Sequence, residues 1–215
     1  MRNPKNSWNK SDSHSCWDYD TFEKCCFIGP NDMKLAQTLI KGGSEHRKFL
    51  RQIFISVDIT APLYWWKEMD TYKIGTTANS TSTMHKLTSK PITLDCFETD
   101  DFNTELEYYQ GNTTEMLSEI IIEQLEFLRQ KYLETKDKKY WKELVRWLPE
   151  SWLQTRTFTC NYEILRNIVH QRKNHKLKYE WDSFIKWGKT LPYSEELIFY
   201  NNGYEKEYEL HNLLS

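Results

Sequence analysis

The amino-acid sequence predicts an α+β fold, because it contains one clear strand pattern and several helix patterns. Apolar and polar residues alternate over residues 53–59, which is the period of a half-buried strand. Over residues 113–134 apolar residues recur every three or four positions, which is the period of an amphipathic helix. A chain of 215 residues is long enough to bury one sizeable core. We therefore expect a single domain over 21–191, with arms at 1–20 and 192–215.

The first half of the chain contains the signals that start and stop helices and strands. A helix is predicted over 33–40, because the pair of glycines that follows it is typical of a helix end. The predicted strand ends at Pro62, and a second helix is predicted directly after it, over 63–73. Gly75 breaks this helix. We expect the Thr/Ser-rich residues 77–82 to form a loop.

The second half is predicted to be mainly helical. Residues 88–112 are rich in loop signals and contain an acidic patch that we expect to be solvated. Further helices are predicted over 140–147, 158–172 and 179–186. The helix over 113–134 carries a stripe that we expect to be buried, formed by Met116, Leu117, Ile120, Ile121, Leu125, Leu128 and Tyr132.

Composition limits the classes of partner. The formal net charge is −2, so no overall positive field attracts nucleic acid or an anionic membrane, and we expect neither partner. No apolar run is long enough to span a bilayer, and we expect a cytoplasmic protein. Aromatic residues make up 15% of the chain and include nine tryptophans. Large buried interfaces and an aromatic-rich core both explain this surplus.

The cysteines give no sign of a disulfide framework or of a metal site. They are Cys16, Cys25, Cys26, Cys96 and Cys160. Their number is odd and their spacing matches no framework, which favours a reducing compartment. Cys25 and Cys26 are adjacent, with His14 and Cys16 upstream, but this spacing matches no Cys-x-x-Cys zinc pattern. We expect no bound metal.

Two polar clusters about eighty residues apart carry the functional information. The first is the Thr/Ser-rich segment 77–82, and the second runs from Phe158 to Trp181 and carries amides, an arginine and a glutamate among apolar residues. In order and internal spacing they resemble the flavin-dependent thymidylate synthases, the ThyX family. The resemblance covers about residues 33–185.

The first cluster matches the family in the spacing of its residues but not in their charge. The family has a Ser-x-Asn-Glu-x-Ser-x-Arg loop, and Thr77, Asn79 and Ser82 keep its hydroxyl, amide and hydroxyl groups. Ser80 stands where the family has glutamate, and Met84 stands where it has arginine.

An Arg-His-Arg triplet that precedes this loop in the family is also missing. Residues 72–74 read Tyr-Lys-Ile, so Lys73 is the only cation left. Guanidinium groups bind phosphate with paired hydrogen bonds, so this loss weakens any site for a nucleotide or a flavin pyrophosphate. Replacement cations are available at Arg47, Lys48, Arg51, Lys73, Lys86 and Arg146.

The second cluster matches the family more closely. Leu148 and Pro149 precede Asn161 by the same number of residues that separates the family's Leu-Pro pair from its asparagine. Asn167 occupies the position of a flavin-contacting Asn or His in the family. Arg172 falls on the family's arginine, followed by Tyr-Glu where the family has Trp-Glu. On one continuous helix Asn161 and Arg172 share a stripe, and Asn167 points about 120° away.

The resemblance implies a fold, an assembly and a set of site residues. The fold is an antiparallel sheet flanked by long helices, and the assembly is a homotetramer whose sites draw on several subunits. FAD is the implied cofactor. The implied nucleotide-binding and cofactor-binding residues are Lys73, Thr77, Asn79, Ser82, Asn161, Asn167 and Arg172, with Ser82 and Arg172 as the catalytic candidates if the protein is active.

Two functional hypotheses follow. The missing triplet favours a nucleotide-binding protein that has kept the framework and lost the chemistry, and that senses or sequesters a nucleotide or a nucleotide-derived signal. Phages carry some divergent members of this kind, which fits a counter-defence role. The retained Ser82, Asn161, Asn167 and Arg172 favour an active enzyme that converts dUMP to dTMP with FAD, NADPH and methylene-tetrahydrofolate, or a related pyrimidine-modifying enzyme.

Overall fold

The computed structural model describes residues 8–18, 23–82 and 86–200, and contains both helices and antiparallel strands. The strands are β1 His14–Asp18, β2 Glu23–Phe27, β3 Phe54–Pro62, β4 Thr77–Ser80 and β5 Leu153–Asn161. The α-helices are α1 Pro30–Lys41, α2 Leu63–Met69, α3 Thr114–Thr135, α4 Lys138–Arg146, α5 Tyr162–Arg172, α6 Lys178–Lys189 and α7 Ser194–Leu197. Short 3-10 helices cover Trp8–Lys10, Arg47–Gln52, Leu94–Cys96 and Tyr109–Gly111.

The chain forms two compact units. The terminal unit consists of Met1–Ile55 and Cys160–Ser215, and the central unit consists of Ser56–Thr159. The core of the terminal unit is formed by apolar side chains of its helices and of the segment after α7, at Leu50, Leu165, Ile168, Val169, Trp181, Phe184, Leu197 and Ile198. Part of the predicted C-terminal arm is therefore packed in this core, and its residues 201–215 lie outside the described part of the chain.

A two-stranded hairpin lies near the start of the terminal unit. Strands β1 and β2 pair antiparallel, with His14 opposite Phe27 and Cys16 opposite Cys25. Cys16 is disulfide-bonded, which the cysteine spacing did not predict. The hairpin overlaps the predicted N-terminal arm.

The central unit contains a three-stranded sheet in the order β3-β5-β4. Strand β4 pairs antiparallel with β5, so that Thr77 lies opposite Thr159 and Ser80 opposite Arg156. On the other side of β5, the Thr159 hydroxyl contacts that of Ser56 at 3.0 Å, and the Thr155 hydroxyl contacts that of Thr60 at 2.7 Å. Hydroxyl and amide groups therefore cover one face of this sheet.

The core of the central unit is apolar, with an ion pair beside it. Buried side chains from α3, α4 and the connecting segments form it: Leu87, Ile92, Cys96, Phe97, Leu125, Leu144 and Trp152. The Glu126 carboxylate accepts hydrogen bonds from Arg129 at 2.7 Å and from the backbone N–H of Ile92 at 2.8 Å. Hydrogen bonding to the Arg129 guanidinium is the main reason that the pKa of Glu126 falls to about 2. This pair holds the segment before Ile92 against α3.

Two predicted elements near the sheet are wrong. The predicted loop over 77–82 contains strand β4, and the predicted helix over 158–172 begins only at Tyr162, because residues up to Asn161 belong to β5. Along β5 Gln154 and Phe158 are buried while Thr157 is exposed, which is the two-residue period of a strand. The short polar edge strand β4 has no buried residue, so no hydrophobic pattern marks it.

The predicted helices over 33–40, 140–147 and 179–186 correspond to α1, α4 and α6 within a few residues. Helix α2 ends at Met69, four residues earlier than expected. The apolar stripe of α3 is only partly buried: Leu125 is 2% exposed, whereas Met116 and Ile120 are 47% and 52% exposed. Across the described ranges, no helix has the length and the apolar character needed to cross a membrane.

Candidate functional site

Helix α5 begins with a side chain that the sequence assigned to ligand binding. Asn161 is the N-cap of this helix, and its Oδ1 accepts a hydrogen bond from the backbone N–H of Ile164 at 3.1 Å. Asparagine is one of the best residues at this position, because its side chain satisfies an N–H group that has no partner within the helix. Asn161 precedes the helix, so the predicted stripe that it shares with Arg172 is wrong. A ligand contact of Asn161 stays a prediction.

A buried carboxylate follows in the first turn of α5. The side chain of Glu163 is 6% exposed and holds two arginines, with Arg47 Nε at 3.2 Å from Oε1 and Arg51 Nε at 2.6 Å from Oε2. Both arginines belong to the 3-10 helix Arg47–Gln52, where they are four positions apart. Both reach the same carboxylate. An acidic side chain at a helix N-terminus also interacts favourably with the helix dipole. Glu163 therefore ties the 3-10 helix to α5.

One turn later, Asn167 joins the same group. Its Oδ1 accepts a hydrogen bond from Arg47 Nη2 at 3.3 Å, so Arg47 bridges Glu163 and Asn167. Residues four positions apart lie on the same face of a helix, which explains why one guanidinium reaches both side chains. We call Arg47, Arg51, Glu163, Arg166 and Asn167 the arginine cluster.

Arg166 is the most buried cation of the arginine cluster. It is 4% exposed, and its Nη1 donates to the carbonyl oxygens of Ile198 at 2.7 Å and Tyr200 at 2.8 Å. The pKa of Arg166 is lowered to about 10, mainly by burial and to a smaller extent by the positive charge of Arg47. At neutral pH the cluster thus contains three guanidinium charges and one carboxylate. Such a surplus of positive charge suits an anion.

Arg172, in the last turn of α5, has a different partner. Its guanidinium lies over the ring of Trp181, 5.0 Å from the ring centroid, and Trp181 on α6 is fully buried. This cation–π contact fixes the direction of a partly buried cation.

The other four predicted site residues belong to the central unit. Lys73 follows α2 and is exposed, and Thr77 and Asn79 are exposed on the edge strand β4. Ser82 follows β4 with a φ of 52°, a left-handed conformation that is uncommon for serine. Met84 lies outside the described residues.

Sequence reasoning missed one cation in the central unit. Arg156 lies on β5 opposite Ser80, with Nη1 at 2.8 Å from Asp70 Oδ1 and Nε donating to Gln154 Oε1 at 2.7 Å. Its guanidinium also lies over the Trp66 ring, 4.4 Å from the centroid. The alternation along β5 was the signal that would have put Arg156 on the inner face with Gln154 and Phe158.

Four of the six candidate replacement cations fall into two groups, and the other two, Lys73 and Lys86, are exposed. Arg47 and Arg51 belong to the arginine cluster, whereas Lys48 and Arg146 form exposed ion pairs with Glu45 and Glu143. Exposed ion pairs of this kind contribute little to the stability of the fold. Within the described part of the chain, no three His, Cys, Asp or Glu side chains are grouped to hold a metal ion.

Comparison with known proteins gives a result at the level of the fold. No family model and no curated protein sequence matches the chain. Thymidylate synthase X (ThyX) from Helicobacter pylori, solved with FAD and dUMP, matches with a TM-score of 0.57 and 18% identity over 81% of this chain and 84% of that chain. The UMP/dUMP methylase PolB from Streptomyces cacaoi, solved with 5-Br dUMP, matches with a TM-score of 0.53 and 14% identity over 82% of each chain. The protein therefore has a ThyX-like α+β fold, as predicted.

The arginine cluster leads to a prediction about stability. Replacing Glu163 by glutamine removes the buried negative charge and leaves Arg47 without a counter-ion, so we expect the free energy of unfolding to fall by about 3 kcal/mol. Urea denaturation followed by circular dichroism measures this change. Glu45→Gln is the matched control, because Glu45 makes an exposed, solvent-screened pair with Lys48 and its loss should lower the stability much less. Equal midpoints for the two variants would contradict a stabilising role of Glu163.

Proposed function

We propose that this protein binds a nucleotide or a nucleotide-derived signal and has lost thymidylate synthase chemistry. The observation that carries the proposal is the arginine cluster. Arg47 and Arg51 are paired with Glu163, the single carboxylate of the cluster, whereas Arg166 donates to backbone carbonyl oxygens. A phosphate group would supply the negative charge that the cluster lacks. Its ThyX-like fold adds support, since the matched structures were solved with pyrimidine nucleotides.

Arg51 is the member of the cluster most suited to a phosphate. Its side chain is 49% exposed, whereas those of Arg47 and Glu163 are 19% and 6% exposed. Its Nε is fixed on Glu163, which orients the guanidinium plane before any ligand arrives. A pre-oriented guanidinium loses less side-chain entropy when it binds an oxyanion. Arg172, held over Trp181, is a second oriented cation on α5.

The loss of catalysis is inferred from the central unit. Residues 72–74 supply one exposed cation, Lys73, and Ser80 carries no charge. The Arg156 guanidinium is already paired with Asp70, so its charge is balanced. Reductive methylation needs a flavin, a folate and a pyrimidine held together, and fixed positive charge is the usual way to hold their phosphates.

The alternative is an active enzyme, either a divergent thymidylate synthase or a related pyrimidine-modifying enzyme. The nature of the matched proteins favours it, since one is a thymidylate synthase solved with FAD and the other a nucleotide methylase. Ser82 and Arg172 would then be the catalytic candidates, with FAD, NADPH and methylene-tetrahydrofolate as co-reactants.

We further propose a homotetramer with ligand sites at the subunit interfaces. On α3 the exposed apolar residues Met116, Ile120 and Phe127 form a stripe on the side opposite to the buried Leu125. A helix that is apolar on two sides usually packs against two neighbours. Sequestration of a signalling nucleotide by such an assembly would suit a phage counter-defence protein.

The first test is ligand binding, measured by isothermal titration with dUMP. Arg172→Ala should abolish binding and leave the far-ultraviolet circular dichroism unchanged, because this guanidinium would act through its charge. Ser82→Ala should weaken binding by about 1 kcal/mol, the value of a neutral hydrogen bond. Arg146→Ala, which removes an exposed pair with Glu143, should bind like the parent. Parent-like binding by both site variants would show that these residues do not contact the ligand.

The second test is catalysis. With labelled dUMP, reduced cofactor and methylene-tetrahydrofolate we expect no tritium release, and we expect no rescue of a thymidine-requiring strain, because the charges that would hold the substrates are missing. A ThyX enzyme assayed in parallel is the positive control. Formation of dTMP by the purified protein would establish the alternative.

The third test is the mass in solution. The protomer has a mass of 26.0 kDa, and we expect light scattering to give four times this value at micromolar concentration. Phe127→Glu puts a charge in the exposed stripe and should lower the mass, whereas Lys34→Glu, at an exposed position on α1 in the terminal unit, should not. A parent mass of one protomer would rule out the tetramer.

A further inference from the structure

A cavity of about 190 Å³ lies in the central unit, separate from every residue assigned above. It is bounded by the segment after Leu94, the N-terminal half of α3 and the turn at Pro149. Most of its surface is apolar and comes from Leu94, Phe97, Phe102, Leu117, Ile121 and Ile122. The cavity is open to solvent on one side, and an apolar group that displaces water from its apolar wall is bound favourably.

Two polar side chains in the cavity wall, Glu98 and Thr114, already have hydrogen-bond partners within the protein. The Glu98 carboxylate accepts from the Tyr64 hydroxyl at 3.1 Å and from the backbone N–H of Asp100 at 2.7 Å. The Thr114 hydroxyl donates to the carbonyl of Leu106 at 3.3 Å. A polar ligand would therefore have to compete with these bonds, whereas an apolar group would not.

The volume limits the occupant to something small. Pockets for complete ligands and cofactors usually measure about 300–1,000 Å³. A cavity of about 150 Å³ in another protein holds one benzene molecule. The cavity in this protein therefore fits one aromatic ring or one branched aliphatic side chain.

The apolar surface continues well outside the cavity. Around its mouth Leu94, Phe102 and Tyr108 are 45%, 36% and 46% exposed, and nearby in the chain Leu106 and Tyr109 are 51% and 83% exposed. A ligand of one ring would leave most of these side chains in water. Exposed apolar surface around an anchor pocket is typical of a contact with another polypeptide.

Charge selects the kind of polypeptide. Residues 91–128 contain ten Asp or Glu residues and no Lys, Arg or His. One of the ten, Glu126, is neutralised by Arg129, which leaves nine carboxylates in this part of the chain. Two copies of this surface facing each other would bring like charges together, which is unfavourable for self-association. A basic partner would be attracted.

We infer that this surface docks a basic polypeptide segment that inserts one large apolar side chain into the cavity while its flanking Lys or Arg residues face the carboxylates. The surface differs from the stripe of Met116, Ile120 and Phe127, so the inference does not depend on the tetramer or on nucleotide binding. The inference rests on the cavity and its exposed rim. The negative charge of the surrounding residues indicates that the partner is positively charged.

Fluorescence anisotropy with a labelled Lys/Gly peptide that contains one central tryptophan tests this inference. We expect saturable binding that weakens with added salt. The same peptide with alanine at the centre should bind about tenfold more weakly, because it leaves the cavity empty. A peptide with Glu in place of Lys should not bind. Equal affinity for the tryptophan and alanine peptides, or no binding of either, would overturn the inference.

Two variants locate the contact. Phe102→Ala should weaken binding of the tryptophan peptide about tenfold and leave the alanine peptide unaffected, because only the cavity contact changes. The double change Asp100→Asn and Asp101→Asn should weaken both peptides and reduce the salt dependence, with Glu45→Gln in the terminal unit as the control. Unfolding midpoints of all variants verify that the fold is intact.

Two results would assign the surface to another occupant and so overturn the inference. The first is free indole binding as tightly as the tryptophan peptide, which would make the cavity a small-molecule site. The second is a rise in mass by light scattering when Asp100 and Asp101 are neutralised, which would show that charge repulsion alone keeps a second copy from this surface.

Discussion

The arrangement of the terminal unit depends on the ion pairs that the buried Glu163 carboxylate forms with two arginines. The carboxylate receives Arg47 and Arg51 from the 3-10 helix Arg47–Gln52 and thereby fixes that helix to the first turn of α5. Removing one member of a buried ion pair leaves an uncompensated charge, which destabilises the fold. A change at one of these positions therefore requires a matching change at the others. Asn167 is oriented by the same contact, because its amide oxygen accepts from Arg47.

Under the proposed function, this constraint accounts for nucleotide binding although residues 72–74 supply only one cation. The surplus charge lies on α5 and the 3-10 helix, where burial and neighbouring charge lower the pKa of Arg166 and increase the demand for a counter-anion. In the central unit Arg156 is balanced by Asp70, and Lys73 is exposed. We therefore separate phosphate binding, which the terminal unit can support, from the chemistry of methyl transfer.

The sequence predicted the elements with a strong period and missed those without one. Strand β3 and helix α3 were foreseen because their apolar residues alternate or recur at helical spacing. Strand β5 was missed because its last residues, up to Asn161, run directly into the pattern of α5. Within the site, Glu163 and Arg47 are 116 positions apart, and no local pattern pairs residues at that distance. Arg172 and Asn167 were proposed as site residues only through the family resemblance, and their contact with a ligand stays a prediction.

The visible absorption spectrum tests the central claim most directly. The protein would be equilibrated with excess FAD, passed through a desalting column and examined for a retained flavin band, with dUMP binding confirmed on the same sample. We predict a colourless protein that binds dUMP, because residues 72–74 keep only Lys73 to hold the flavin pyrophosphate while the arginine cluster is present. A flavin band equivalent to one FAD per protomer would contradict the account.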